Sequence, residues 1–194
     1  MQPQFYLASA SPRRRQLLEQ LGLRFEVTAA DVDERPRPGE SPRDYVLRVA
    51  RAKASAAADR LGGPVLPILA ADTAVVLNGA ILGKPRDRED AIGMLGRLSG
   101  RSHQVLSAVA LWKGGAVRTA LNESQVRFRG ITPGEAAAYW ESGEPRDKAG
   151  AYGIQGMGGM FVEHLAGSYS GVVGLPLLET TALLQEAGIG VLGH

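Results

Sequence analysis

The spacing of hydrophobic and polar residues changes several times along the chain, and these changes predict alternating strands and helices. QFYLAS and RFEVTA are short runs typical of strands, and the nearly continuous apolar run VLPILAADTAVVL predicts a buried strand. Between the first two runs, Leu17, Leu18 and Leu21 form an apolar stripe at helical spacing. Strands that alternate with helices indicate an α/β fold.

Capping residues and glycines predict where these elements begin and end. A hydroxyl residue followed by proline predicts the start of a helix at Ser11, at Ser41 and at Thr132. Further helices are predicted within DREDAIGMLGRLSG and LPLLETTALLQEAG. Asn78–Gly79 predicts a hairpin turn, and Gly114–Gly115 predicts the turn between two long strands. No repeat or long linker interrupts the pattern, so residues 1–194 are expected to form a single domain.

The composition of the chain excludes cysteine-dependent chemistry, and its apolar runs bear on where the protein is located. The 194 residues are 44% hydrophobic, which is enough for a substantial core, and they include no cysteine. Disulfides, thiol catalysis and zinc–thiolate sites are therefore excluded. No apolar run is long enough to span a membrane, and MQPQFYLAS lacks the features of a signal peptide. These properties lead us to expect a cytoplasmic protein.

The charge pattern gives little support for a nucleic-acid partner. The formal net charge is only +2, and acidic residues are interspersed with the basic ones instead of leaving a basic face. Lysine is scarce beside arginine, so Lys53, Lys84 and Lys148 stand out as positions where an ammonium group is used.

The segment SASPRRRQLLEQLG places three arginines in the first turn of a helix. Each cation there costs about 0.3–1 kcal/mol against the helix dipole. The hydroxyls of Ser9 and Ser11, together with the free N–H groups of the helix start, form an arrangement that binds phosphates. Bound phosphate would offset the repulsion between the arginines. The alternative is that the arginines are ordinary solvated residues.

Two acidic positions are candidates for metal binding or proton transfer. Asp72 follows a hydrophobic strand, at the sheet rim where α/β proteins bind ligands, and Thr73 beside it can hydrogen-bond a ligand. Glu34 lies in the polar segment DVDERP and can complete a site of hard oxygen ligands with Asp72. An ordinary turn carboxylate at Asp72 and a solvated acidic loop at Glu34 are the alternatives.

Two further side chains are candidate ligand contacts. Lys84 is held between Gly83 and Pro85, which suits a phosphate contact, although a simple lysine at the end of a hairpin is equally consistent. Gln155 lies in DKAGAYGIQG, where small residues let the backbone approach a ligand closely. Its amide can match the N3–H and O4 edge of uracil or thymine, or the segment is simply a flexible turn.

The histidines show no spacing that is typical of a metal site. His103, His164 and His194 are scattered along the chain, and we assign them no catalytic role.

Together these segments resemble the Maf family of nucleoside triphosphate pyrophosphatases over nearly the whole chain. The resemblance follows the order LASASPRRRQLLEQLG, DERP, RAKA, ADTAVVLNGAILGKPRDREDA, LSGRSHQVLSAVAL, GEPRDKAGAYGIQGMGGMFVEHLAGSY and VVGLPL. It implies an elongated central mixed β-sheet with flanking helices, with two lobes around a deep cleft. It also implies a homodimer.

The resemblance implies hydrolysis of a nucleotide between its α- and β-phosphates, with Mg²⁺ or Mn²⁺ as cofactor. The forms SPRR, ADT and YGIQG are similar to the branch that acts on dTTP and UTP, and modified pyrimidine nucleotides are further candidates. The expected role is cleansing of the nucleotide pool. Ser107, where this branch often has threonine, is a minor departure, and Arg15 matches no functional position.

Residue roles follow from matching positions. The resemblance makes Asp72 the proton acceptor and, with Glu34, a metal ligand, and it places base specificity at Arg13, Thr73 and Gln155. The matching positions are, for catalysis, Asp72, Glu34, Lys53 and Lys84, and, for substrate binding, Ser9, Arg13, Arg14, Thr73 and Gln155.

Two other functions stay open. One is a pyrophosphatase for inosine or xanthosine triphosphate, against which the SPRR and GIQG segments argue. The other is a non-enzymatic regulator, because the Maf name is linked to septum formation and cell-division arrest.

Overall fold

The computed structural model describes residues 2–28 and 30–191. In this part of the chain the strands are β1 (Phe5–Ala8), β2 (Phe25–Thr28), β3 (Ile68–Leu77), β4 (Ala80–Leu82), β5 (Ser102–Lys113), β6 (Ala116–Phe128) and β7 (Val162–Ala166). The α-helices are α1 (Pro12–Gln20), α2 (Pro42–Arg60), α3 (Arg88–Leu98), α4 (Pro133–Glu141), α5 (Tyr169–Val173) and α6 (Leu177–Glu186). Short 3-10 turns span Glu144–Asp147, Ala149–Ala151 and Met157–Phe161.

The strands form one mixed sheet of seven strands. Its order is β2-β1-β3-β5-β6-β7, with β4 paired to β3. The strand β1 runs parallel to β2 and to β3, whereas the other pairs are antiparallel. This arrangement confirms the α/β class and the central mixed sheet that were expected from the sequence.

One edge of β3 is shared by two short strands, and the edge is open between them. Ile68 to Ala70 pair with β1, and Val75 to Leu77 pair with β4. Residues 71–74 have no neighbouring strand on this edge within the described chain, although β5 pairs along the other edge. Asp72 and Thr73 lie at this break, and Thr73 is the one residue of β3 that is not fully buried. The expectation that Asp72 follows a strand at the sheet rim is therefore wrong, because β3 continues past it to Leu77 and the ligand-facing opening lies along the strand edge.

The hydrophobic core is divided differently on the two faces of the sheet. Helix α2 covers one face, and its buried alanines, such as Ala50, Ala54 and Ala57, allow close packing against β3 and β5. On the opposite face one cluster joins β1 with α1 and α6, and a second joins β4 with α3 and α4. The two clusters are the lobes, and Thr73 lies between them.

The capping interactions agree with the sequence at two of the three helix starts that combine a hydroxyl residue with proline. The Ser41 hydroxyl accepts from Asp44 N, and Thr132 and Glu135 form a complete capping box. Ser11 is the exception, since it occupies the N-cap of α1 without a capping bond from its side chain. Its own N–H donates to the Ser9 hydroxyl at 3.2 Å. The predicted position of the N-cap is therefore confirmed, but its side chain makes no capping bond.

None of the helices in the described ranges combines the length and the apolar character that crossing a membrane requires.

Candidate functional site

A cleft of about 940 Å³ opens at the break in β3. Every site residue predicted from the sequence lines it, although these residues come from widely separated parts of the chain. They are Ser9, Arg13, Arg14, Glu34, Lys53, Asp72, Thr73, Lys84 and Gln155. The structure thus assembles the complete predicted set in one cavity.

A lysine joins two carboxylates at one side of the cleft. The Lys53 Nζ lies 2.8 Å from Asp72 Oδ1 and 2.7 Å from Glu34 Oε1. Lys53 and Asp72 are only 9% and 5% exposed, because α2 packs directly over β3. Glu34 belongs to the loop after β2, and its side chain is 46% exposed. The ion pairs therefore run from the floor of the cleft to its mouth.

The two carboxylates differ in their electrostatic environment. Burial raises the pKa of Asp72, and the nearby charges of Lys53 and Arg14 only partly oppose this. Burial also raises the pKa of Glu34, but the hydrogen bond and charge of Lys53, together with the charges of Lys84 and Arg14, outweigh burial there, and the pKa falls below its ordinary value. Asp72 Oδ2 is buried and has no hydrogen-bond partner in the described chain. A buried oxygen without a partner is costly unless a ligand or a proton satisfies it.

The Arg14 guanidinium is held rigidly beside this pair. Its Nε donates to Gly174 O at 2.8 Å, and its two terminal nitrogens donate to Ser9 Oγ at 3.1 Å and Thr73 Oγ1 at 3.3 Å. Burial lowers the pKa of Arg14, and Asp72 opposes this effect. Two of the five guanidinium N–H donors are still available after these three bonds. They can bind an anion with little loss of side-chain entropy, because the side chain is already ordered.

A chain of hydroxyls supports Thr73 from the opposite direction. Thr73 Oγ1 lies 2.8 Å from Ser107 Oγ, which in turn donates to Gly171 O at 2.6 Å. Because Ser107 uses its hydrogen on this carbonyl, Thr73 donates to Ser107 and accepts from Arg14. The serine at position 107 therefore keeps the hydroxyl on which this chain depends.

Arg13 contacts the other lobe. Its Nη1 lies 2.8 Å from Asp147 Oδ2, and the other oxygen of Asp147 accepts from Lys148 Nζ at 2.8 Å. Burial raises the pKa of Asp147, but the hydrogen bonds from Lys148 and Arg13 outweigh it and lower the pKa to about 2. The sequence suggested bound phosphate as the partner that offsets the arginine charges. The structure shows that Asp147 already offsets part of the charge.

Arg15 differs from its two neighbours. It is exposed and lines a separate depression, beside Glu19 and Phe25, on the outer side of α1. This placement agrees with the prediction that only Arg13 and Arg14 face the cleft.

Lys84 and Gln155 line the cleft from two segments of the second lobe. Both side chains are exposed, and Lys84 follows β4 directly. The positive charge of Lys84 contributes to the lowered pKa of Glu34. Gln155 lies in the glycine-rich segment between two 3-10 turns.

The predicted metal ligands fit a hard cation whose coordination is completed by a substrate. The described residues contain no group of three or more His, Cys, Asp or Glu side chains at metal-binding distances. Mg²⁺, however, is commonly bound through one or two carboxylates together with substrate phosphates and water. Glu34 and Asp72 supply two carboxylates, which lie close together because both pair with Lys53.

The structure gives two of the histidines no place in the cleft. His103 is buried, its Nε2 lies 2.8 Å from Tyr152 Oη, and burial lowers its pKa to about 4. His164 is exposed on β7. His194 lies outside the described residues.

Sequence reasoning missed two contributors to the site. Asp147 pairs with Arg13 across 134 positions, so no local pattern could have revealed the contact. Glu144 accepts hydrogen bonds from the backbone of the glycine-rich segment, from Met157 N at 2.8 Å and Gly158 N at 3.1 Å. The only signal in the sequence was their position in GEPRDKAG, immediately before that segment.

Comparison with known proteins gives consistent results. The model of the family described as Maf-like protein matches residues 4–187. A dTTP/UTP pyrophosphatase of Methylococcus capsulatus is 57% identical, over 95% of this chain and 91% of its own length. Proteins of the same name from Nitrosomonas europaea and Pasteurella multocida are 54% and 50% identical, over 96% of this chain in each case and 95% and 96% of their own. The solved structure of the Staphylococcus aureus Ham1 protein covers 66% of this chain and 72% of its own, with a TM-score of 0.44 and 17% identity.

Proposed function

Because the chain belongs to the Maf-like family, we propose that it is a nucleoside triphosphate pyrophosphatase that acts on dTTP and UTP. Its products are the nucleoside monophosphate and pyrophosphate. Modified pyrimidine nucleotides are further substrates on this proposal, and the biological role is cleansing of the nucleotide pool. The observation that carries the proposal is the buried Lys53–Asp72 pair, with its unpartnered Oδ2, at the floor of a cleft lined by cations.

The cations of the cleft suit a triphosphate. Arg14, Lys53 and Lys84 present positive charge from α1, α2 and the end of β4, and they surround the space next to Asp72. Phosphoryl transfer depends mainly on positioning and on neutralising charge on the phosphate oxygens. Arg14 is suited to this because its guanidinium is already fixed by three acceptors.

Asp72 is suited to accept the proton of the attacking water. The water oxygen forms a bond to phosphorus, the bridge between the α- and β-phosphates breaks, and pyrophosphate leaves. The proton passes to Asp72 Oδ2, which has no competing partner in the described chain. Lys53 holds Oδ1 and so fixes the direction in which Oδ2 points.

Glu34 and Asp72 are the residues that would hold a divalent cation. A bound Mg²⁺ or Mn²⁺ would neutralise charge on the phosphate oxygens and would lower the pKa of a water molecule that it binds. The remaining coordination would come from substrate and solvent oxygens, because the protein offers only two carboxylates.

Gln155 is suited to read the base. Its amide carries both a donor and an acceptor, which match O4 and N3–H of uracil and thymine. Cytosine presents a donor and an acceptor in the reversed order, so the same amide orientation opposes it. This complementarity favours dTTP and UTP over CTP.

A substrate panel tests the proposal. Pyrophosphate release from dTTP, UTP, CTP, GTP and inosine triphosphate is measured with Mg²⁺, with Mn²⁺ and with a chelator. We expect the highest kcat/KM for dTTP and UTP and a loss of activity with the chelator. A purine preference would instead indicate an inosine-type pyrophosphatase, and activity on none of the nucleotides would favour a regulatory protein. Full activity with the chelator would contradict the metal site.

The family resemblance also supports a cytoplasmic homodimer as part of the proposal. Light scattering of the purified protein measures its mass in solution. A homodimer has twice the mass of the 20.5 kDa chain. The family resemblance also includes a link to septum formation, which no feature of the cleft requires.

A further inference from the structure

The glycine-rich segment that carries Gln155 is anchored at both ends to one hydrogen-bonded pair of side chains, the buried Tyr139 and the half-buried Glu144. Gly153 N donates to Tyr139 Oη at 3.1 Å, and Tyr139 Oη donates to Glu144 Oε1 at 2.5 Å. At the other end, Met157 N and Gly158 N donate to the Glu144 carboxylate at 2.8 and 3.1 Å. The segment therefore turns around Glu144, with Gln155 between the two anchors.

The glycines show how closely the segment follows this pair. A Cβ on Gly156 would overlap the Glu144 carboxylate, and one on Gly158 would lie 2.5 Å from Tyr139 Oη. A Cβ on Gly153 would lie 2.8 Å from Lys148 Cε. A Cβ on Gly158 would also lie 2.8 Å from Gly153 O, a backbone atom that cannot move aside, so this position requires glycine, and a Cβ on Gly156 would displace the carboxylate that anchors the segment.

Glu144 is well suited to act as a fixed acceptor. Burial raises its pKa, but the hydrogen bonds from Tyr139, Gly158 and Met157 outweigh burial, and the pKa falls below its ordinary value. Tyr139 is fully buried, so one end of the network cannot move without disturbing the core. Bonds from backbone N–H groups to a charged carboxylate are stronger than those to a neutral acceptor.

We propose that Glu144 is a positioning residue for base recognition, which holds the backbone of residues 153–158 and thereby places the Gln155 side chain where it meets uracil or thymine. The inference rests on the proposed function, because it assumes that Gln155 reads the base. Glu144 does not line the cleft, so it acts only through the segment 153–158. Its removal is therefore expected to affect selectivity between bases and to spare the phosphate-binding residues.

The test compares kcat/KM for UTP and CTP in the wild type, in Glu144→Gln and in Glu144→Gln combined with Gln155→Ala. Glutamine keeps the size of the Glu144 side chain but removes its charge. It also replaces one carboxylate oxygen with an amide NH₂ group, which cannot accept the hydrogen bond from a backbone N–H. We expect the UTP-to-CTP ratio to fall about tenfold, the effect of displacing one polar contact. In the Gln155→Ala background the same substitution should cause no further loss of selectivity.

Glu141→Gln is the matched control. Glu141 ends α4, its side chain is 66% exposed, and it pairs with Arg88 on the surface. This variant should keep the wild-type ratio. Should Glu144→Gln fail to fold, Tyr139→Phe removes the hydroxyl that connects Gly153 to Glu144, and it should lower the ratio in the same direction.

Several results would overturn the inference. The first is an unchanged UTP-to-CTP ratio of kcat/KM in the folded Glu144 or Tyr139 variant. The second is a parallel fall of kcat/KM for both nucleotides. The third is a further loss of about tenfold in selectivity when Glu144→Gln is added to Gln155→Ala. A parallel fall is what a merely structural role would produce, because it reduces the fraction of active protein. Equal kcat/KM for UTP and CTP in the wild type contradicts base reading itself, and this is distinguishable from a failure confined to Glu144.

Discussion

The two oxygens of the Asp72 carboxylate have different surroundings. Oδ1 accepts from Lys53, whereas Oδ2 is buried and has no partner in the described chain. The difference arises because residue 72 lies where β1 has ended and β4 has not begun, so that one side of the strand faces the cleft. An unsatisfied buried carboxylate oxygen costs free energy, and such a cost is typical of a site that binds a ligand or a proton.

Asp72→Asn tests the role of this carboxylate. The amide oxygen can still accept from Lys53, so we expect the fold and the thermal midpoint to change little. The amide cannot accept a proton from water, so pyrophosphate release should fall by at least about 10²-fold. A coupled pyrophosphate assay and thermal denaturation measure the two effects. Asp59→Asn, on an exposed residue near the end of α2, is the control, and near-normal turnover in Asp72→Asn would rule out the proposed role.

At the residue scale, the sequence predicted the residues of the cleft that carry charge in unusual positions, but not the residues of the same chain that they contact. Asp72 was recognisable because a carboxylate interrupts an apolar run, and Arg14 because cations crowd a helix start. Asp147 was not recognisable, since its role depends on a contact with Arg13 that only the folded chain creates. Lys53 had a family match, but its position between two carboxylates required the packing of α2 on β3.

Individual elements were predictable where their signals are local. The capping box at Thr132 and Glu135 and the turn at Asn78–Gly79 depend on neighbouring residues, and both occur as expected. The Asn78 and Gly79 φ values of 51° and 78° are those that a tight hairpin turn requires. The open edge of β3 was not predictable, because it depends on which strands pair with it.

The capping box of α4 leads to a pH prediction. The hydrogen bond from Arg129, together with those from Thr132, lowers the pKa of Glu135 to about 2. A carboxyl whose pKa falls on folding stabilises the protein above its unfolded pKa, and this contribution disappears as pH falls toward the folded pKa. The free energy of unfolding of the wild type should therefore exceed that of Glu135→Gln at neutral pH.

Urea denaturation at a series of pH values measures this difference. We expect it to shrink as the pH falls from 4.5, the ordinary pKa of a glutamate, toward about 2, the pKa of Glu135 in the folded protein. A difference that is constant over this interval would show that the Glu135 charge contributes nothing to α4. Glu163→Gln provides a comparison outside the cap, because Glu163 lies on β7 and forms a surface ion pair with Arg127 of β6.

For the molecule as a whole, the cleft separates two lobes that share one sheet. The Arg13–Asp147 pair joins α1 of one lobe to the Glu144–Asp147 turn of the other. A triphosphate bound between them would add contacts to Arg14, Lys53 and Lys84 that the unfolded chain lacks. Binding to the folded state alone raises stability by an amount set by the ligand concentration relative to Kd.

A nonhydrolysable UTP analogue should therefore raise the melting temperature. At about one hundred times Kd the gain is about 2.7 kcal/mol, which corresponds to several degrees for a chain of this size. Differential scanning fluorimetry measures the shift, and UMP at the same concentration should give a smaller one. No shift at saturating analogue, or an equal shift with UMP, would contradict triphosphate binding in the cleft.

The central claim is that this cleft cleaves UTP and dTTP between the α- and β-phosphates. Phosphorus NMR of the reaction with UTP tests it most directly, because it identifies every phosphorylated product in one spectrum. We predict UMP and pyrophosphate in equal amounts, with no UDP and no inorganic phosphate, and formation of these products by the Asp72→Asn variant that is slower by at least about 10²-fold. Formation of UDP and inorganic phosphate, or pyrophosphate release by the variant at close to the wild-type rate, would contradict the account.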